Sequence, residues 1–147
     1  MISKSRDIVT IYAGPAVAAY GFGDGHPFGR DRHDAFWNEA VRRGLDRRVE
    51  RGTLRAATRA ELERFHTRRF LDFIEERCRA GRGFLDDGDT PAEPGLFEAA
   101  CQVAGTTLNA CADVATGRSR RAFVPIGGLH HAGRNHAAGF CVLNDIG

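Results

Sequence analysis

The sequence has little net charge and no long apolar run. It contains one lysine, Lys4, beside 20 arginines, and its formal net charge at pH 7 is +2. Because so small a net charge makes no strong field, we expect neither nucleic acid nor a membrane as a partner. No apolar segment is long enough to cross a bilayer, and the first residues carry no apolar stretch of a secretion signal. With these signals missing, we expect a cytoplasmic location.

The sequence also lacks the cysteine spacing of a zinc ribbon or a thioredoxin motif. Its four cysteines are Cys78, Cys101, Cys111 and Cys141, and none of them belongs to a Cys-x-x-Cys pair. We expect them to be buried free thiols in a reducing compartment. A length of 147 residues, with 42% hydrophobic and 27% charged residues, is typical of one globular domain and is too short for two.

Strand and helix patterns alternate along the chain. The β-branched run 8–12 predicts a first strand, and the apolar run 122–126 predicts a buried second strand. The stretches 14–32 and 86–94 are typical of loops. Helices are predicted at 34–45, after the capping pattern Thr58–Glu61, from the cap Thr67 as far as Gly81, and at 95–116, where apolar residues from Phe97 to Ala115 recur three and four apart. Together these elements predict an α/β domain with a parallel sheet flanked by helices.

Two adjacent histidines follow the second predicted strand. His130 and His131 come four and five residues after Ile126, behind Gly127 and Gly128, where the backbone can turn freely. In open α/β sheets, functional groups gather just past the carboxyl ends of the strands. Imidazoles titrate near neutral pH, and two adjacent imidazolium charges repel each other. One histidine can therefore stay neutral as a base while the other stays charged.

By themselves these histidines leave other interpretations open. A His-His pair also occurs in polar loops and in incidental metal binding, and His136 would complete a three-histidine cluster for zinc. The spacing from His131 to His136 differs from the i, i+4 spacing that puts two ligands on one helix face, which disfavours such a site. The nearby pair Asn144-Asp145 is typical of a helix start.

The surrounding residues form a longer pattern. Gly127-Gly128-Leu129-His130-His131-Ala132, followed by Ala-x-Gly-Phe-Cys-Val-x-Asn-Asp at 137–145, resembles the signature of the histone deacetylase superfamily, which includes the bacterial acetoin utilization proteins. Further segments resemble that family in the same order: Gly25-His26-Pro27-Phe28 with Arg32, Phe65-His66-Thr67, and Gly88-Asp89 with Gly95-Leu96-Phe97. The matches run from Tyr12 to Gly147.

The resemblance implies a fold and a reaction. The fold would be the three-layer arginase/deacetylase-like arrangement, a parallel sheet flanked by helices and incomplete on its C-terminal side. Residues 1–147 would form the N-terminal part of a single domain. The reaction would be metal-dependent hydrolysis by a deacetylase, which removes the acetyl group of N-acetyl-lysine or a related acetylated amine.

The resemblance also implies roles for single residues. His131 corresponds to the general base that activates the attacking water, and His130 corresponds to a charged histidine that supports the oxyanion. Gly139 and Phe140 correspond to the wall of a narrow tube that admits the acyl-lysine arm. An aromatic wall suits a methylene chain because it buries apolar surface without offering a competing hydrogen-bond partner.

Two further residues correspond to parts of the family's binding machinery. Asp89 matches a rim carboxylate that accepts backbone N–H bonds from a peptide substrate, and Arg32 matches an arginine of an internal channel for acetate. The family's metal, zinc or iron, is held by an Asp-x-His motif on the next strand and by a further aspartate, which would follow Gly147. We therefore assign no metal ligand in this chain. We expect a C-terminally truncated, inactive piece whose exposed sheet edge favours self-association.

Two functions remain open at this point. One is the enzyme, whose substrate could be an acetylated lysine peptide or a small acetylated amine, because protein deacetylases, acetylpolyamine deacetylases and acetoin utilization proteins share these motifs. The alternative is a non-catalytic deacetylase-like binding module, which would hold an acyl chain or a partner chain through its open edge.

Overall fold

The computed structural model describes residues 8–23 and 25–147. In chain order, its elements are β1 (Val9–Ile11), α1 (Pro15–Ala18), α2 (Arg32–Arg42), a 3-10 helix (Asp46–Arg48), β2 (Val49–Arg51), α3 (Arg59–Leu62), α4 (Arg68–Ala80), α5 (Leu96–Ala115) and β3 (Arg121–Phe123). The strands form one parallel sheet in the order β2-β1-β3, with Val9 opposite Val49 on one side and Arg121 on the other. The predicted α/β class, a parallel sheet flanked by helices, is confirmed. In the described part of the chain, no helix is long and apolar enough to cross a membrane.

Side-chain caps start two helices where the sequence predicts them. The Thr58 hydroxyl accepts from the Glu61 N–H at 3.2 Å and the Glu61 carboxylate accepts from the Thr58 N–H at 2.8 Å, which is a complete capping box for α3. The Thr67 hydroxyl accepts from the Phe70 N–H at 3.3 Å and starts α4. This helix ends at Gly81, whose left-handed φ of 64° suits glycine.

The core forms around α5. This helix packs against α1, α4 and β3, and its first two-thirds are almost wholly buried. Gly105 lets the chain before α3 approach closely, because a Cβ there would lie 2.2 Å from the backbone nitrogen of Ala57. That nitrogen donates instead to the carbonyl of Cys101 at 2.8 Å. The predicted apolar stripe fails at the far end of the helix, where Cys111 and Ala115 are exposed.

The structure corrects several other sequence predictions. The stretch 14–32, predicted as a loop, contains the short helix α1, and β2 lies where no strand was predicted. The second predicted strand is only three residues long and lies at an edge of the described sheet, so Phe123 is 46% exposed instead of buried. All four cysteines are free, and three are buried as expected, but Cys111 is exposed.

Candidate active site

A buried carboxylate fixes the turn that leads into the histidine pair. Asp145 is 7% exposed. Its Oδ1 accepts from the Leu129 N–H at 2.6 Å, and its Oδ2 accepts from the Gly128 N–H at 3.0 Å and from the Thr107 hydroxyl at 2.7 Å. These donors replace the water that the carboxylate loses on burial. Through Thr107, helix α5 therefore anchors the loop that follows β3.

Asn144 holds the same loop from its other side. Its side-chain Nδ2 donates to the carbonyl of Ala132 at 2.8 Å and to that of His130 at 3.4 Å. Its backbone N–H donates to Nε2 of His66 at 3.0 Å. The sequence predicted a helix start at Asn144-Asp145, but in the structure both side chains bind the histidine loop.

The two histidines of the pair stack on each other at the surface. The ring centroids of His130 and His131 are 4.4 Å apart with an interplanar angle of 30°, and both residues are exposed. Nδ1 of His130 lies 2.9 Å from the carbonyl oxygen of Gly128. Because a carbonyl only accepts, Nδ1 carries the proton and Nε2 is the atom free to face a reactant.

The ring of His131 lies directly on the backbone of Gly139. A Cβ built on Gly139 would be 3.0 Å from Cγ of His131 and 3.2 Å from its Nδ1. Gly139 also has a left-handed φ of 54°, so a side chain would be both crowded and strained there. The sequence predicted both residues as part of one site, and the structure brings them into contact.

Phe140 has a strained backbone that three neighbours hold in place. Its φ of 69° is the only positive value at a non-glycine residue in the described part of the chain. Its carbonyl accepts from the Tyr20 hydroxyl at 2.6 Å, and its N–H donates to the Thr90 hydroxyl at 3.1 Å. Its ring packs edge-on against His26, with centroids 4.6 Å apart. Burial raises the pKa of Tyr20 far above its usual range, so this hydroxyl keeps its proton and can donate.

An internal carboxylate organises the loop before Phe140. Burial opposes ionisation of Asp86, but the hydroxyl of Thr90 and the N–H groups of Gly88, Asp89 and Thr90 donate to the carboxylate and hold its pKa at about 2. The same Thr90 hydroxyl accepts from Phe140, so Asp86 supports the wall residue through Thr90. The side chain of Asp89 is exposed, and its Oδ1 lies 3.1 Å from the same Thr90 hydroxyl.

A cleft of about 710 Å³ opens beside the histidine pair. Its lining includes Asp89, Gly139 and His136, together with Phe73 and Phe84, which are 42% and 45% exposed. The structure therefore places Asp89 and Gly139, both predicted to bind substrate, on one surface. The histidine pair adjoins this cleft through Gly139 and is not among its lining residues.

Arg32 lies apart from the histidine pair, at the first turn of α2. It is exposed, and its guanidinium carbon sits 4.4 Å from the ring centroid of Phe28. Phe28 packs edge-on against Tyr20, with centroids 5.7 Å apart. Arg32 is thus linked to Phe140 only indirectly, through the rings of Phe28 and Tyr20.

The described residues do not by themselves fit a metal ion. Within 8–23 and 25–147, no three His, Cys, Asp or Glu side chains converge as metal ligands. The three-histidine cluster of His130, His131 and His136, considered from the sequence, is therefore wrong. The ring of His136 packs instead against Gly133, where a Cβ would lie 2.1 Å from its Cε1.

Several residues that shape this site were missed at the level of sequence. They are Tyr20, Thr90 and Asp145, which make hydrogen bonds to backbone groups far along the chain, and Asp86, which holds Thr90 through local hydrogen bonds. Only Asp145 had a signal, since a carboxylate close behind a glycine turn and a histidine pair can accept the N–H groups of that turn.

The sequence and the fold are both similar to known proteins. The sequence model of the histone deacetylase domain matches residues 26–147. Histone deacetylase RPD3 of Saccharomyces cerevisiae is 32% identical over 88% of this chain and 32% of its own length. Acetoin utilization protein AcuC of Bacillus subtilis is 35% identical over 95% of this chain and 38% of its own length. The chain spans about a third of the length of these curated relatives.

The fold is similar to that of a solved structure. The crystal structure of the HDA15 HD domain superimposes with a TM-score of 0.83 at 25% sequence identity, over 94% of this chain and 41% of that one. The likeness therefore extends over nearly all of this chain.

Proposed function

Because the chain belongs to the histone deacetylase family, we propose that it supplies the histidine pair and the acyl-site wall of a metal-dependent deacetylase. The observation that carries this proposal is the contact of the His131 ring with Gly139, next to the strained residue Phe140. A base that touches the wall of the substrate tube can reach an acyl carbonyl held inside that tube. The substrate is an N-acetyl-lysine in a peptide or a small acetylated amine.

The two histidines divide the proton chemistry between them. His131 is the general base, which takes a proton from the attacking water and later passes it to the leaving amine. His130 supports the developing oxyanion through Nε2, because its Nδ1 proton is engaged by the carbonyl of Gly128. Their rings stack with centroids 4.4 Å apart, so both imidazoles can face the same acyl group in these separate roles.

The substrate arm is held by the remaining predicted residues. Gly139 and Phe140 flank its methylene chain, and Asp89 at the rim accepts N–H groups of a peptide backbone. Arg32 serves the acetate product from the far side of the Tyr20 and Phe28 rings.

The metal that we propose is zinc, with iron as the alternative, held by residues other than those described. The described residues themselves offer no converging set of ligands. Bound zinc would supply an acidified water for the attack on the acyl carbon. Without it the water stays near its bulk pKa, and we propose that the 147 residues alone do not hydrolyse the substrate.

Acetate release tests the proposal. The assay compares the 147-residue chain with any longer product of the same gene, each with Zn²⁺ or Fe²⁺, on an acetyl-lysine peptide and on an acetylated polyamine. We expect no release by the chain alone, and release by a longer product that His131→Ala abolishes. Turnover by the 147 residues would overturn the proposed inactivity, and full turnover by the His131→Ala variant would overturn the role of the pair.

A second candidate is a non-catalytic deacetylase-like binding module. The absence of a converging ligand set among the described residues favours it. This module would bind an acetyl-lysine peptide without metal, and Phe140→Ala would abolish binding because the aromatic wall is lost. Metal-free binding with no turnover in any longer product would favour the module over the enzyme.

We also propose a cytoplasmic protein that self-associates through the edge strand β3. The exposed ring of Phe123 on this strand is the observation behind self-association. The small net charge of +2 supports the absence of a nucleic acid partner.

A further inference from the structure

His66 is a buried histidine that the proposed reaction does not use. It follows α3, is 2% exposed, and lies between the rings of Phe65 and Phe70, whose centroids are 4.9 Å and 5.2 Å from that of the imidazole. Burial lowers its pKa because the charged ring would lose its hydration, although the peptide groups of Arg134 and Gly133 partly offset this effect.

The hydrogen bond from Asn144 defines the state of this ring. The backbone N–H of Asn144 donates to Nε2 of His66 at 3.0 Å, so Nε2 must carry a lone pair. A neutral ring then has its proton on Nδ1. Nδ1 is buried and has no hydrogen-bond partner among the described residues, although the peptide groups of Gly133 and Arg134 lie near the ring. A protonated ring could not accept from Asn144.

Asn144 connects the His66 ring to the backbone of the histidine pair. While its backbone is fixed by His66, its side chain donates to the carbonyls of Ala132 and His130, one on each side of His131. The next residue, Asp145, holds the N–H groups that precede the pair. Residues 144 and 145 therefore hold the backbone on both sides of the pair, and the buried ring of His66 binds the backbone N–H of Asn144.

A second contact ties the same corner to the loop behind the pair. The backbone N–H of Thr67, next to His66, donates to the carbonyl of Arg134 at 2.9 Å. The guanidinium of Arg134 lies 5.9 Å from the ring centroid of Phe65. The corner between α3 and α4 thus contacts the histidine loop directly at Arg134, and indirectly through Asn144.

We propose that His66 is a positioning residue for the His130-His131 pair, acting through the backbone of Asn144. The inference rests on the proposed function, in which His130 and His131 are the catalytic histidines. The placement itself is measurable without turnover. A longer gene product without deacetylase activity would overturn the proposed function but not the placement.

Imidazole nitrogen spectra of the 147-residue chain test this inference. His66→Phe keeps a buried ring but removes the acceptor, whereas His66→Gln offers a side-chain oxygen to the Asn144 N–H. We expect His66→Phe to shift the nitrogen resonances of both His130 and His131, and to speed amide exchange at Leu129 by about tenfold or more. His66→Gln should largely restore both signals to those of the unsubstituted chain.

His33→Phe is the matched control. His33 is also a buried histidine, at 6% exposure, but it lies on α2, and the hydrogen bond found for its ring goes to Asp34. We expect this variant to leave the resonances of the pair unchanged. Unchanged resonances of the pair in a folded His66→Phe variant, or equal shifts in the control, would overturn the inference.

The unsubstituted chain gives a decisive measurement even if His66→Phe does not fold. The nitrogen shifts of His66 report its tautomer directly, and a scalar coupling across the hydrogen bond reports the Asn144 donor. We expect a protonated Nδ1, an unprotonated Nε2 and a coupling from Nε2 to the Asn144 nitrogen. A proton on Nε2 would rule out the acceptor role and with it the inference.

Discussion

The hydroxyl of Tyr20 donates a 2.6 Å hydrogen bond to the carbonyl of Phe140, a residue 120 positions further along the chain. The same hydroxyl accepts from the N–H of Val142 at 3.0 Å. It therefore bridges two backbone groups on either side of Cys141, at the point where Phe140 has a left-handed φ. Such a backbone costs about 1–3 kcal/mol and persists only where its surroundings hold it. Tyr20 is one of those surroundings.

Removal of this hydroxyl should destabilise the chain. Tyr20→Phe leaves the Phe140 carbonyl and the Val142 N–H without their buried partner, and we expect a loss of about 1–3 kcal/mol in the free energy of unfolding. Tyr12→Phe is the matched control, because the Tyr12 hydroxyl donates to Asp113, which can bind water instead. It should cost about 1 kcal/mol or less. Urea unfolding measures both, and an equal cost would contradict the bridging role.

Gly139 should tolerate no side chain. In Gly139→Ala the new methyl would meet the His131 ring at 3.0 Å at a φ of 54°. Gly117→Ala is the control, since Gly117 has a similar φ of 75° and open space around it. We expect about 1–2 kcal/mol for Gly117→Ala from the backbone alone, and a larger loss for Gly139→Ala. Thermal unfolding compares them, and equal losses would mean that His131 does not pack on Gly139.

Local patterns predicted the parts of the fold that depend on local interactions. The capping box at Thr58 and the cap at Thr67 join residues three positions apart, and both are present as predicted. Strand β2 was missed because Val49-Glu50-Arg51 has one apolar residue and becomes a strand only by pairing with β1. Phe73 lies three residues after the buried Phe70 on α4, a spacing typical of one buried face, but it lines the cleft and is 42% exposed.

The site was predictable as a motif but not as a structure. The residues around His131 identify the family resemblance, and Gly139 contacts His131 as their shared assignment suggests. The hydrogen bonds that shape the site join distant segments, from Tyr20 to Phe140 and from Thr107 to Asp145. No local spacing encodes such pairs, because the fold brings them together. The sequence could therefore single out the histidine pair but not the residues that hold it in place.

Loss of the Asp145 carboxylate should destabilise the turn before the histidine pair. Asp145→Asn replaces one acceptor oxygen by an amide NH2 group, which cannot accept from the N–H of Gly128 or Leu129. We expect a loss of about 2–3 kcal/mol in the free energy of unfolding. Thr107→Val removes only the hydroxyl donor to the same carboxylate and should cost about 1 kcal/mol. Urea unfolding checks both. If the two variants lose the same free energy, the carboxylate does not organise the turn.

The edge of the sheet should make the chain self-associate. Among the described residues, β3 pairs on one side only, with β1, and it presents Phe123 at 46% exposure. We expect sedimentation that depends on concentration, and Phe123→Lys should shift the chain towards monomer because a lysine blocks edge pairing. Phe84→Lys is the control, since Phe84 is 45% exposed but lies on the cleft. An equal effect of both variants would indicate nonspecific apolar association.

Stability should fall as the pH drops below 6.5 because of His66. Burial lowers the pKa of this imidazole below its ordinary value of 6.5, so between the two values the unfolded chain binds a proton that the folded chain does not. The free energy of unfolding then falls with decreasing pH, by at most about 1.4 kcal/mol per pH unit, from 6.5 down to the folded pKa. Above 6.5 this group contributes no slope.

A second loss of stability should occur at lower pH and have a different origin. Hydrogen bonds from Arg55 hold the pKa of Glu61 at about 2. Hydrogen bonds from Thr90 and from nearby N–H groups hold the pKa of Asp86 at about 2 as well. Both carboxylates stabilise the fold at pH values above their unfolded pKa values, near 4.5 and 3.8, and this contribution is lost as the pH falls towards 2.

His66→Gln separates the two pH ranges, because it removes the titrating ring and leaves both carboxylates. Urea unfolding from pH 8 to pH 3 should show a flat profile for this variant down to about pH 5, followed by the same acid loss. If the variant keeps the slope between pH 6.5 and 5, another group is responsible, and His66 is not held neutral by its burial.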